Sequence, residues 1–154
     1  MFIDGKKKLG VYCDLTKKKY LFDTADNPYH WQYEAFKFLI SKDLNTFELK
    51  HNSTREMGRT YFTKRVLNIL YDRTFLIVVN TNIERLQYKD IKPYNVELCS
   101  SSAFSIAGKS YDVIIWDGYR DKNYRPPNLP LPRRGEILSQ FRHCVRTMGK
   151  IVLL

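Results

Sequence analysis

The sequence predicts a three-layer α/β domain: a mainly parallel sheet of about five strands with helices on both faces. A small, basic β-hairpin precedes it. Three observations carry the expectation. Arg73-Thr-Phe-Leu-Ile-Val-Val-Asn80 and Ser110-Tyr-Asp-Val-Ile-Ile-Trp-Asp117 are continuous apolar, β-branched runs, as strands covered on both faces require. Segments with apolar residues at helical spacing flank these runs. Polar and small-residue loops, such as Ser100-Ser-Ser-Ala103, separate the two kinds of segment. In chain order the strands are expected near 46–50, 74–80, 95–99, 111–116 and 150–154. The hairpin occupies residues 1–25 and the α/β domain residues 26–154.

In the hairpin, Leu9-Gly-Val-Tyr-Cys13 and Lys19-Tyr-Leu-Phe22 flank a turn at Asp14-Leu-Thr-Lys. Lys6, Lys7 and Lys8 with Lys17, Lys18 and Lys19 are expected either to form a basic patch at one end or to keep an exposed edge soluble. Asp26-Asn-Pro28 then breaks the chain. Trp31, Ala35, Phe36, Phe38, Leu39 and Ile40 predict an amphipathic helix over residues 29–40, with Pro28 just before it, where its fixed φ is tolerated. Gln32 lies near its start. A glutamine amide offers both a donor and an acceptor, as an adenine edge requires, although a surface glutamine has the same sequence signature.

Phe47-Glu-Leu-Lys leads into His51-Asn-Ser-Thr-Arg-Glu-Met-Gly-Arg-Thr60, and a helix-spaced segment from Tyr61 to Tyr71 follows. A strand, a small-residue loop and a helix opening with Gly-x-Thr is the layout of a phosphate-binding loop, where backbone N–H groups and a helix N-terminus hold an anion. The candidate phosphate-binding residues are Ser53, Thr54, Arg55, Gly58, Arg59 and Thr60. Arg59 occupies the place of the usual lysine, and no glycine opens the loop. The same residues would also serve as a polar turn capping a helix through Ser53 or Thr54.

After the 73–80 strand, Asn82–Tyr88 reads as a short helix, and Val96-Glu-Leu-Cys99 as a strand leading to the hydroxyl cluster. The strand Ser110–Trp116 delivers Asp117 at its carboxyl end. There a carboxylate either holds Mg²⁺ through its water shell or starts a turn with Gly118. Residues 119–135 hold four prolines and are expected to be irregular. In this stretch Arg120, Lys122, Arg125, Arg133 and Arg134 accompany Tyr119 and Tyr124, a mixture suited to phosphate contact and base stacking or to docking on a partner subunit. A helix is expected over residues 135–148, with Ile137, Leu138, Phe141, Cys144, Val145 and Met148 on one face and Gly149 as its stop. Lys150-Ile-Val-Leu-Leu154 forms the last strand.

Composition bounds the partners. With 44% hydrophobic and 27% charged residues, the chain suits a soluble globular domain. The N-terminal segment lacks the apolar core of a signal peptide, no run approaches a membrane span, and Cys13, Cys99 and Cys144 have no metal-ligand spacing. A cytoplasmic setting with reduced thiols, no zinc and no membrane is expected. The net charge of +10 favours polyanionic partners, nucleic acid first. His30, His51 and His143 fall in no catalytic or metal constellation.

The order of these motifs resembles a known family. Pro28-Tyr-His-Trp-Gln32, Ser53-Thr-Arg-Glu-Met-Gly-Arg-Thr60, a strand ending in Asn80-Thr-Asn, Ser100-Ser-Ser and Asp112-Val-Ile-Ile-Trp-Asp117 follow one another as in the ATPase domain of phage large terminases. More loosely, they resemble the first motor domain of superfamily 2 helicases. The resemblance covers roughly residues 27–154 and implies a P-loop NTPase-like fold with ATP and Mg²⁺ as cofactors. It assigns adenine to Gln32, phosphates to Ser53, Arg55, Gly58, Arg59 and Thr60, and Mg²⁺ to Thr60 and Asp117, with Arg59 and Asp117 catalytic. Implied partners are nucleic acid, DNA before RNA, and a viral motor or assembly subunit in host cytoplasm or virion. Two positions depart from the family. Arg59 replaces the loop lysine, and Gly118 stands where the family places the glutamate that polarises the attacking water. The resemblance also stops short of a terminase nuclease domain. Retained ATPase activity, a catalytically inactive nucleic-acid or assembly-binding protein, and a regulator of a motor subunit are the readings this leaves. In the ATPase reading Glu136 and Asp121 are the candidates to replace the missing carboxylate, and a complementary subunit could also supply it.

Overall fold

The computed structural model describes residues 8–12, 19–23, 30–41, 46–49, 59–80, 82–90, 95–100, 109–119 and 131–154. Strands β1 (Lys8–Tyr12) and β2 (Lys19–Asp23) pair antiparallel as a hairpin. Their register corrects one expectation. Lys8 pairs with Asp23 at the open end and Lys19 with Tyr12 at the turn end, so these two lysines cannot share one basic end. The hairpin turn and the other lysines of both runs lie outside the described residues.

The remaining elements are α1 (His30–Leu39), β3 (Phe47–Glu48), α2 (Arg59–Ile69), β4 (Phe75–Val79), α3 (Asn82–Arg85) continued by a 3-10 turn at Leu86–Tyr88, β5 (Val96–Ser100), β6 (Tyr111–Trp116), α4 (Leu131–Cys144) and β7 (Val145–Leu153). The five strands β3 to β7 form one sheet in the order β3-β7-β6-β4-β5, and every pairing in it is parallel. The protein is therefore α/β, with helices on both faces of a parallel sheet.

Side-chain alternation along the strands builds two cores. Phe75, Ile77 and Val79 of β4, Val113 and Ile115 of β6 and Val152 of β7 meet Ala35, Phe36 and Leu39 of α1 and Phe62 and Val66 of α2. On the opposite face, Leu76, Val78, Ile114, Trp116 and Leu153 pack on Ile137, Phe141 and Cys144 of α4. Strand β4 is buried at every residue because it is central and covered on both sides. Strand β5, at the edge, is mostly half-buried.

A bulge breaks the alternation in β6. The N–H groups of Asp112 and Val113 both donate to Thr74 O at 3.0 Å, and the register with β7 shifts between Tyr111 and Val113. One extra residue reverses the faces beyond it. Tyr111 accordingly joins the α4 core, while Val113 joins the other.

Three boundaries differ from expectation. Helix α4 starts at Leu131, inside the proline-rich stretch, because a proline in a first helical turn forfeits no intrahelical N–H bond. It ends at Cys144, and the chain from Val145 already belongs to β7, so Val145 and Met148 are not on the helix face. Gly149 lies within β7 rather than capping the helix. Met148 there has φ 68°, and a Cβ on Gly149 would lie 2.6 Å from Val145 Cγ2 and 2.9 Å from Asp112 O. The glycine thus lets the chain turn tightly against β6. Lys150, which follows it, is 1% exposed and sets its ammonium 4.8 Å from the Phe38 ring centroid.

Candidate functional site

Parallel strands send all their carboxyl ends to one edge, where α/β proteins commonly place ligand crevices. At that edge the chain leaves β3 for the loop preceding α2, leaves β4 at Asn80, and leaves β6 at Asp117. Strand β7 separates β3 from β6.

Helix α2 opens at Arg59 and Thr60. The Thr60 hydroxyl donates to Asp117 Oδ2 at 2.7 Å, with Gln87 Oε1 at 3.1 Å as a competing acceptor. Threonine and aspartate stand 57 residues apart in sequence, and the fold alone brings them together. Arg59 donates from Nη1 to Leu154 O at 3.4 Å, across the end of β7.

Asp117 is held in a turn after β6. Its N–H donates to Val78 O at 2.8 Å, and the residue is only 7% exposed. A second hydroxyl reaches the same carboxylate oxygen: Tyr88, at the end of the 3-10 turn, donates to Oδ2 at 2.5 Å. Burial raises the Tyr88 pKa well above the ordinary tyrosine range, and the charge of Asp117 and this hydrogen bond raise it further. Tyr88 therefore stays a protonated donor. Lys64 of α2 pairs with Asp90 at 3.0 Å just beyond the 3-10 turn and lies 5.9 Å from the Tyr88 ring centroid, tying that turn to α2.

Asn80 fixes the other side of the turn. Its amide donates to Gly118 O at 2.8 Å and accepts from Trp116 Nε1 at 3.0 Å, and its N–H donates to Glu84 Oε2 at 3.0 Å. Gly118 has φ +100°, a conformation L side chains rarely adopt. A Cβ there would lie 2.9 Å from Asn80 Nδ2 and 3.9 Å from Glu84 Oε2. The turn itself excludes a side chain at 118.

The other expected site residues are distributed as follows. Gln32 sits in the first turn of α1, 1% exposed. Its neighbour Trp31 packs on Phe62 of α2 with ring centroids 5.1 Å apart, so the start of α1 is tied to the helix carrying Arg59 and Thr60. Ser53, Thr54, Arg55 and Gly58 lie outside the described residues, as do Arg120, Lys122 and Arg125. Arg133 and Arg134 fall in the first turn of α4. Sequence reasoning missed the roles of Tyr88, Gln87 and Glu84. Only Glu84 left a signal: an acid four residues after the asparagine that ends a strand, close to the spacing that caps a short helix.

The donor set suits magnesium. A threonine hydroxyl and a carboxylate are hard oxygen donors, and Mg²⁺ takes one or two protein oxygens and completes its shell with water and phosphate. Among the described residues no group of three or more His, Cys, Asp or Glu side chains is placed to hold a metal ion. Among the same residues no helix is long and apolar enough to cross a membrane. No protein-family model and no curated protein matches this chain.

Proposed function

We propose that the protein is a P-loop-type ATPase-fold protein, similar to terminase and helicase motor domains, that acts on nucleic acid. One observation carries the reading: the first turn of α2, after the candidate phosphate loop, places Thr60 on Asp117 at the carboxyl edge of a parallel sheet. In this reading the N-terminus of α2 and Arg59 bind the phosphates, while Thr60 and Asp117 hold Mg²⁺. A bound magnesium ion would neutralise phosphate charge as the terminal group transfers. Tyr88 orients the Asp117 carboxylate, and Asn80 fixes the turn that carries it. Gln32 is the adenine-reading candidate. Arg133 and Arg134 at the start of α4, with Arg120, Lys122 and Arg125, are the candidate DNA contacts, in keeping with the net charge of +10.

A second reading has its own support. Asp117 Oδ2 already receives two hydroxyls and is nearly buried, an arrangement that would also suit a purely structural carboxylate. The protein would then bind nucleic acid or a viral assembly, or regulate a motor subunit, without turnover. Phosphate release from ATP with and without DNA separates the readings. The first expects DNA-stimulated release that Arg59→Ala suppresses. The second expects no release, DNA or partner binding unaffected by Arg59→Ala, and loss of that binding on charge reversal at Arg133 and Arg134.

A further inference from the structure

We infer that Glu84 is the water-activating carboxylate of this site, standing in for the side chain that Gly118 lacks; this rests on the ATPase reading above. Phosphoanhydride hydrolysis needs a group that orients the attacking water, besides the residues that hold metal and phosphate. The residue after Asp117 cannot supply it, because Gly118 has no side chain and its φ of +100° strains any other residue. Glu84 lies beside that position on a different element. Its Oε2 lies 3.9 Å from the point where a side chain at 118 would begin, and the Asn80 N–H holds that oxygen at 3.0 Å. Asn80 in turn bonds Gly118 O and Trp116, so carboxylate and turn share one rigid support.

In the step assigned to it, Glu84 orients a water whose oxygen bonds to the terminal phosphorus. The bond from that phosphorus to the bridging oxygen breaks, its electron pair leaves on the nucleoside diphosphate, and Glu84 takes the water's proton and passes it to solvent. Inorganic phosphate and the nucleoside diphosphate are the products.

The bland role for Glu84 is a cap on the Asn80 N–H, and the test separates the two. Glu84→Gln keeps an oxygen to accept that N–H but removes the base. Three quantities are measured for wild type and variant: affinity for MgATP, affinity for MgADP with aluminium fluoride, and phosphate release. The expected result is MgATP affinity within about threefold of wild type, weaker binding of the fluoride complex, and release slowed about 10²–10⁴-fold. Unchanged release in Glu84→Gln overturns the inference. So does loss of MgATP binding together with a lowered urea midpoint, which assigns Glu84 to the cap alone. Wild-type protein that binds MgATP without releasing phosphate overturns the role of Glu84 and leaves the nucleotide site standing. Wild-type protein that binds no nucleotide overturns the ATPase reading beneath it.

Discussion

Replacing Gly118 by alanine probes the turn on which the site depends. The new Cβ meets two obstacles. At φ +100° the backbone is one that L residues avoid, a strain of about 1–3 kcal/mol. The methyl would also lie 2.9 Å from Asn80 Nδ2, in an amide pinned by Gly118 O at 2.8 Å and Trp116 Nε1 at 3.0 Å. Moving the amide loses at least one buried hydrogen bond, worth about 1 kcal/mol. The sum is about 2–4 kcal/mol, a large share of the ~5–15 kcal/mol that holds a typical domain together. Urea unfolding followed by tryptophan fluorescence measures it directly, since Trp116 is itself in the network. Gly135→Ala is the control. Nothing lies within 4 Å of a Cβ at this position in α4, and alanine there should be neutral or stabilising by up to about 1 kcal/mol. A Gly118→Ala midpoint corresponding to less than about 0.5 kcal/mol of destabilisation would refute the reasoning and reopen position 118 to side chains.

Three further outcomes are expected. Tyr88→Phe removes a donor to a charged acceptor and should cost about 1.5–3 kcal/mol near neutral pH. Because the folded state raises the Tyr88 pKa, its contribution is complete below the ordinary value of 10.0 and is lost as pH climbs toward the raised one. An alkaline unfolding series should therefore be shallower in the variant, though not flat, since Tyr111 is shifted the same way by burial and by Glu97. Arg73→Ala removes a bond of 2.8 Å from a guanidinium, 8% exposed, to Leu39 O at the end of α1; thermal melting should report a loss of about 1.5–3 kcal/mol, and a change under about 0.5 kcal/mol would count against the cap. Burial pushes the Cys99 thiol up to about 12 and raises that of Cys144, so both should react with a disulfide reagent at pH ~8 at least about a hundredfold more slowly in native protein than in denaturant.

The central sheet was legible because its physics is local. Phe75–Val79 and Val113–Trp116 are apolar at consecutive positions and rich in β-branched residues, as short strands covered on both faces are. The start of β7 was not legible. Val145 and Met148 continue the spacing of Ile137, Phe141 and Cys144, and what ends the helix is the chain's tight approach to Asp112 at Gly149, a contact set by β6. Likewise four prolines argued against regular structure before Gly135, yet a first helical turn tolerates Pro132. At the site, Thr60 and Asp117 could be paired from motif order, since each follows a strand that ends at the same edge. Tyr88 could not. Its sequence context reads as one apolar position of a short helix, and its hydroxyl's partner comes from the turn after β6, 29 residues away.

The central claim is that Thr60 and Asp117 form the magnesium side of a nucleotide site. Titration of purified protein with a fluorescent ATP analogue, with and without Mg²⁺, tests it most directly when repeated on Asp117→Ala. The account predicts saturable, Mg²⁺-dependent binding that the substitution abolishes. No binding by the wild-type protein up to millimolar nucleotide, or binding that Asp117→Ala leaves unchanged, would contradict it.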